Sequence, residues 1–246
     1  HNMSDALQLT AEFPLTIVFD HDDFVVISKP ANVNFHNEEG SEGFVSMVNR
    51  LYRSHLERHA GPAKTAQQLY PVHRLDRVTS GLMLFAKSAE TNATLSKLFQ
   101  EKRVVKEYLA ICASRPKKKQ GLVVGDMEKA RNGCYRLLRS KANPAKTRFT
   151  SFSLDDPAYA ALRLFLLRPE TGKTHQLRVM MKSLGSPILG DQRYRGVASD
   201  RCYLHAYRLC FELDGKTYDI HDLPASGELF AKHLASKAVQ GWLQTA

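Results

Sequence analysis

A single carboxylate stands in a strongly basic stretch of this chain. In "VHRLDRVTSG", Val72 to Gly81, Asp76 lies between Arg74 and Arg77, His73 precedes them, and Thr79, Ser80 and Gly81 follow. A surface salt bridge is the plain reading, and such exposed pairs contribute little. The sharper reading is a reactive carboxylate kept ionised beside a polyanionic substrate. Two further stretches gather polar groups beside a strand or at a helix start. "KEYLA" carries Tyr108, and "RPETGKTHQLR" carries Lys173, His175, Gln176 and Arg178. Unpaired backbone N–H groups at a helix start attract anions, and Gly172 lets the backbone approach a guest closely. Cations at that end oppose the helix dipole. Lys173, His175 and Arg178 together therefore ask for a nearby anion, a phosphate or a carboxylate; an ordinary basic first turn is the plain alternative.

Taken together, these groups define a chemistry. An Asp76 paired with the distant Arg178 stays ionised and fixed at neutral pH and can act as nucleophile or base. A tyrosine beside it can stack on a nucleobase or relay a proton. The set calls for no metal and no cofactor, and no Walker loop, G-x-G-x-x-G or H-E-x-x-H motif occurs in the chain. Asp20, Asp22 and Asp23 lack the glycine and distal glutamate of a calcium loop and read as a turn. Asp191 in "LGDQRY" is the one extra acid considered for the cleft, and it reads as structural.

The elements that must position these residues follow from periodicity. "FPLTIVFDHDDFVVISKP" reads as two strands around an Asp-rich turn. Phe44, Met47, Val48 and Leu51 mark a helix with a basic outer face. "GLMLFAKS" is a buried strand, followed by a helix capped by Ser88 and striped by Leu95, Leu98 and Phe99. "VKEYLAICAS" and "YAALRLFLLRPE" are strands, with basic loops and a short hairpin-like region between them. "GKTHQLRVMMKSLG" is the clearest helix: Leu177, Met180, Met181 and Leu184 share a face, Arg178 leaves that stripe, Thr174 is placed to cap it and Gly185 to end it. "CFELDGKTYDI" is a hairpin turning at Asp214-Gly215, and one C-terminal helix spans "GELFAKHLASKAVQGWL". Strands dominate, and the helices fall between them irregularly. The expectation is α+β: a single domain over residues 13–246 with a central, mostly antiparallel (mixed) sheet flanked by helices. Asp76, Tyr108 and Arg178 are expected to line its cleft. In the tail, residues 1–12, His1-Asn2 ahead of Met3 reads as a cloning scar.

Composition narrows the partners. The chain has 246 residues, 43% of them hydrophobic, and a formal net charge of +10. That is enough apolar content for a real core, and the charge suits nucleic acid or an anionic surface. Cys112, Cys134, Cys202 and Cys210 form no C-x-x-C pair. They suggest thiols in a reducing, cytoplasmic compartment rather than zinc or a disulfide framework. No apolar run is long enough to span a membrane, and no secretory signal is legible. A monomer is expected.

"HRLDRVTSG", "KEYLA" and "RPETGKTHQLRVMMKSLGSPILGD", with "DDFVVISKP" ahead of them and "LHAYRL" after, resemble the motifs of RluA-type RNA pseudouridine synthases, from about Leu15 to about Leu223. The resemblance implies isomerisation of a uridine in structured ribosomal or transfer RNA to pseudouridine, without a cofactor. Asp76 matches the family's essential aspartate, acting either as nucleophile or as the base of a glycal route. Tyr108 matches the tyrosine that packs on the uracil, and Arg178 the basic partner of the aspartate. The expected RNA-binding set is His73, Arg74, Arg77, Lys173, His175 and Gln176. His73 suits bracing the loop better than catalysis, and Arg74 either fills the gap left by a flipped base or pairs with a carboxylate. Thr79, Ser80 and Gly81 support the loop. Where relatives often have Lys-Pro-x-Gly this chain has "KPAN", with Asn32 able to adopt positive φ. Lys173 replaces a commoner arginine, and Met181 stands where the family often has His-Met. The segment before Phe13 is too short for the separate N-terminal RNA-binding domain of some relatives, so residues 37–70 and the loops around Lys117 and Lys141 are expected to choose the substrate. Two rivals stand beside this reading: a non-catalytic RNA-binding or RNA-folding protein, and a metal-dependent nuclease or phosphatase, which would want clustered acids.

Overall fold

The computed structural model of the protein describes residues 6–7, 15–59, 61 and 67–246. The expected tail lies outside the described residues, apart from the backbone of Ala6–Leu7, a short strand (β1) paired with the start of β2 (Leu15–Asp20). The chain gathers into two compact units, where the sequence reading treats residues 13–246 as one domain. The first takes the chain up to Val104 together with Arg208–Leu223; the second takes Val105–Tyr207 and Pro224–Ala246. Both are α+β, and every pairing whose register is described is antiparallel.

In the first unit, β2 and β3 (Phe24–Lys29) form the expected hairpin, and β3 pairs on its other edge with β5 (Ser80–Ala86). All seven residues of β5 are buried. The reason is a helix on each face: α1 (Phe44–His59) sets the Phe44 ring 6.1 Å from Phe85, and α2 (Ala89–Gln100) sends Leu95 into a cluster with Leu82, Leu84, Val26 and Phe24. A strand covered on both sides reads as a continuous apolar run, as "GLMLFA" does. Ser88 caps α2 as expected, its Oγ accepting from the Thr91 N–H at 3.1 Å. A short strand, β4 (Tyr70–Pro71), pairs with the end of β5. The hairpin of β12 (Leu204–Leu213, which starts in the second unit) and β13 (Lys216–His221) turns at Asp214 and Gly215, with φ of 51° and 78°. Two positive φ values make the tight turn that matches strand twist.

The second unit orders β6 (Val105–Cys112), β11 (Arg163–Pro169), β10 (Ala145–Ser153) and β7 (Gly121–Gly125) side by side. The hairpin-like region is a two-stranded ribbon, β8 (Met127–Lys129) with β9 (Tyr135–Leu137). Helix α3 (Gln176–Ser183) differs from expectation at its start. Thr174 does not cap it; His175 takes the capping position in a left-handed conformation, φ 57°, and makes no side-chain cap bond. Gly185 ends it as expected: at φ 72° its N–H reaches Lys182 O, and the Ser186 N–H reaches Met181 O. The expected single C-terminal helix is two, α4 (Glu228–Leu234) and α5 (Lys237–Thr245), because Ser236 is extended and starts a new helix, its carbonyl accepting from Gln240 N–H. No helix among the described residues is long and apolar enough to cross a membrane.

Candidate active site

The loop carrying Asp76 is fixed by what surrounds its backbone. Val72 N–H donates to the Leu84 carbonyl, and Leu84 N–H donates in turn to Nε2 of His73 at 3.0 Å. A backbone N–H can only donate, so that nitrogen holds the lone pair and His73 carries its proton on Nδ1. The His73 ring also stacks on Phe99, with centroids 4.8 Å apart. These contacts make it a brace, in keeping with the bracing role, and its Nε2 is not a donor for RNA. Thr79 N–H closes a turn onto the Asp76 carbonyl at 3.0 Å, and Thr79 and Ser80 are buried. Gly81 has φ 115°, a conformation that disfavours any side chain. Asp76 itself is half-buried, while Arg74 and Arg77 are exposed. The Arg74 guanidinium sits 5.1 Å from the centroid of Phe35, a cation–π contact outside both of the roles the sequence offers it.

One residue of this scaffold goes unnoticed in the sequence. Lys29, at the end of "FVVISK", is 1% exposed and donates to the carbonyls of Pro30, Val33 and Arg77 at 2.8, 2.9 and 3.2 Å. The Arg77 carbonyl also accepts from Asn32 N–H at 2.7 Å, with Asn32 at φ 66° as the "KPAN" variation anticipates. The carbonyl one residue beyond Asp76 is thus clamped by an ammonium and an amide. The available signal is a lysine closing an otherwise apolar strand before proline, where exposure is implausible and a ring of carbonyls is the natural compensation.

In the second unit, Tyr108 lies mid-strand on β6 opposite Leu167 of β11 and is half-buried. Arg178 does not sit on an exposed outer face of α3. Its side chain is 5% exposed, and Nε and Nη2 each lie 2.9 Å from an Asp191 oxygen, with Asp191 1% exposed. A buried bidentate pair of this kind satisfies both charges where neither could stand alone. Asp191 is structural, as read, and its partner is the very arginine singled out for chemistry. The guanidinium also lies 5.1 Å from the centroid of Tyr194, whose burial raises its own pKa.

Tyr194 joins this pair to its surroundings. Its hydroxyl is 2.7 Å from His175 Nδ1 and accepts from Tyr135 N–H at 3.0 Å, so the β8–β9 ribbon is tied to the start of α3. His175 is half-buried with its ring edge-on to both tyrosines. Gln176 is a correction. It is buried, its Oε1 accepts from Thr171 Oγ1 and Lys173 N–H, and its Nε2 donates to Lys146 O and Thr147 Oγ1. Every hydrogen-bonding position of the amide is used, which makes Gln176 the anchor of the preceding loop rather than a contact for RNA. Lys173 is half-buried. Among the described residues no group of three or more His, Cys, Asp or Glu could hold a metal ion.

The structure thus holds one carboxylate on a braced loop, a mid-strand tyrosine and a buried arginine, and solved structures give the class of fold. The human RNA pseudouridylate synthase domain containing 4 superposes with TM-score 0.69 over 89% of this chain and 91% of that one, at 24% identity. The human domain containing 1 does so with TM-score 0.65 over 91% and 95%, at 22% identity. Residues 23–183 match the family described as RNA pseudouridylate synthase. An uncharacterized RNA pseudouridine synthase of Haemophilus influenzae is 42% identical over 93% of this chain and 96% of its own length. The ribosomal large subunit pseudouridine synthase D of the same organism is 34% identical over 79% of this chain and 57% of its own. A ribosomal large subunit pseudouridine synthase C of Rickettsia felis is 32% identical over 83% and 64%. The chain therefore belongs to the RluA-type RNA pseudouridine synthases, which are isomerases.

Proposed function

We propose that this protein converts a specific uridine of structured ribosomal RNA to pseudouridine, with Asp76 as the essential catalytic carboxylate. The observation that carries the proposal is the clamp on the Asp76 loop: a buried lysine and the Asn32 amide hold the Arg77 carbonyl, and the Thr79 N–H closes a turn onto the carbonyl of Asp76 itself. Holding a reacting group in one geometry is a large part of catalysis. Ribosomal RNA is favoured over transfer RNA because the similar synthases C and D are ribosomal large subunit enzymes by name.

Tyr108 packs on the uracil and helps remove its C5 proton, and Arg178 supplies the fixed positive charge of the site. The reaction is an isomerisation: the bond from ribose C1′ to N1 breaks, the uracil turns, C1′ bonds to C5, and the C5 proton leaves as N1 gains one. The uridine must first leave its stack, at a cost of about a few kcal/mol, offset by phosphate contacts from cations such as the exposed Arg77 and the half-buried Lys173.

Incubation with unmodified ribosomal RNA transcripts in chelator, followed by pseudouridine mapping, is the direct test. Wild type forms product, and Asp76→Asn forms none while RNA affinity stays within about threefold, because only the carboxylate has gone. Product from Asp76→Asn would remove Asp76 from the mechanism. Binding without product from wild type would favour an RNA-binding or RNA-folding role.

A further inference from the structure

We propose that Lys106 binds a backbone phosphate of the RNA next to the uridine that Tyr108 receives. The inference rests on the reading above and adds a substrate-positioning residue to it. Side chains alternate along a strand, so Lys106 and Tyr108 share one face of β6. Glu107 and Leu109 point the other way; Leu109 is fully buried there, and Glu107 is buried and paired with Arg168. Residues two apart on a strand are about 7 Å apart, which is the scale of one nucleotide.

The end of Lys106 reaches the turn before α3. Its Nζ lies 3.7 Å from where a Cβ on Gly172 would be, so any side chain there would lie against the ammonium and cover part of it. Glycine leaves that approach open. Lys106 is half-buried, and burial lowers its pKa below the ordinary lysine value. Among the described residues its ammonium has no hydrogen-bond or ion-pair partner. Three acids of this unit have other cations: Glu107 has Arg168, Glu170 has Arg148 and Asp191 has Arg178. A partly desolvated ammonium without a carboxylate is costly in the resting protein. It becomes favourable when an anion arrives, and the polyanion this enzyme meets is RNA. Lys173, next to Gly172, adds a second cation on the same turn.

The test separates binding from chemistry. Unmodified large-subunit ribosomal RNA transcript is the probe, and affinities are read in an Asp76→Asn background so that nothing turns over. Lys106→Gln is expected to raise KM about tenfold with kcat within about threefold, and to lower the slope of log affinity against log salt by about 0.7–0.9. Lys106→Arg keeps the slope. In the protein with Lys106 intact and its lysines carrying 13C-methyl labels, the Lys106 resonance shifts on adding RNA and its pKa rises, a readout independent of how well the variants fold. Equal salt slopes with Lys106 present and after Lys106→Gln, or an unmoved resonance, would overturn the proposal. So would a fall in kcat at constant KM, which would put the ammonium on the reacting base. Failure of wild type to make pseudouridine would instead sink the reading on which it rests, while the salt slope and the resonance would still judge Lys106.

Discussion

At the scale of single residues, the arginine singled out for chemistry is also a structural ion. Arg178 and Asp191 form a bidentate pair with almost no exposure. Removing one member leaves the other charged and buried, which costs about 3–5 kcal/mol. Asp191→Asn is therefore expected to lower stability by about that amount in denaturant unfolding, and to impair catalysis through the displaced guanidinium. Replacing both residues with Met and Leu should recover much of the stability but none of the activity. A double variant that regains pseudouridine formation would show that Arg178 serves the fold alone. The difference between what was legible here and what was not is physical. Asp76 stood out because it is the single acid of a basic loop whose neighbouring residues, in order, match a long family motif. The Asp191 partnership did not, because thirteen residues and a helix end separate the two, and nothing in residue type says which acid a buried guanidinium meets. Gln176 misled for a related reason: beside three cations a polar amide looks like a ligand contact, yet its hydrogen bonds all close on its own unit.

At the scale of elements, periodicity located the strands and helices well and their ends less well. β5 was readable because a helix on each face demands an unbroken apolar run, and α2 because Ser88 supplies a real cap. The start of α3 was not, because its capping position is held in a left-handed conformation by His175, whose side chain is engaged with Tyr194 and not with the helix N-terminus. Tertiary contact overrides capping preference there. The same contact makes a prediction about the β8–β9 ribbon. It is a two-stranded element, marginal by itself, and the Tyr194 hydroxyl joins its Tyr135 N–H to His175. Tyr194→Phe removes that bridge and leaves a part-buried N–H unpaired, at about 1–3 kcal/mol. Hydrogen exchange at Tyr135 and along β9 should accelerate about tenfold or more, while β6 and β11 keep their protection. Unchanged exchange at Tyr135 would mean that the ribbon is held by its other contacts, such as Arg193 on the Asn132 carbonyl.

At the scale of the whole molecule, a formal charge of +10 favours RNA, and two acids oppose each other in how stability follows pH. Asp156 accepts from Ala158 N–H, Lys232 and His233, and these bonds hold its pKa down at about 2. Its folded value lies below the unfolded one of about 3.9, so its contribution is complete above that value and is lost as pH falls through about 2. Asp222 is the reverse. Burial pushes its carboxyl up to about 6, against a Ser28 hydroxyl donating at 2.5 Å. Its contribution is complete below about pH 3.9 and is lost as pH rises through about 6. Asparagine at this position keeps an acceptor for Ser28 and has no charge to desolvate. Asp222→Asn should therefore be the more stable protein at about pH 8, by about 2–3 kcal/mol or several degrees in Tm. The advantage should shrink through about pH 6 and vanish near about pH 4. Calorimetric scans of both proteins at those three values decide it. An advantage that persists unchanged at the lowest pH would come from packing, and none at the highest would mean that a cation compensates Asp222 in the folded state.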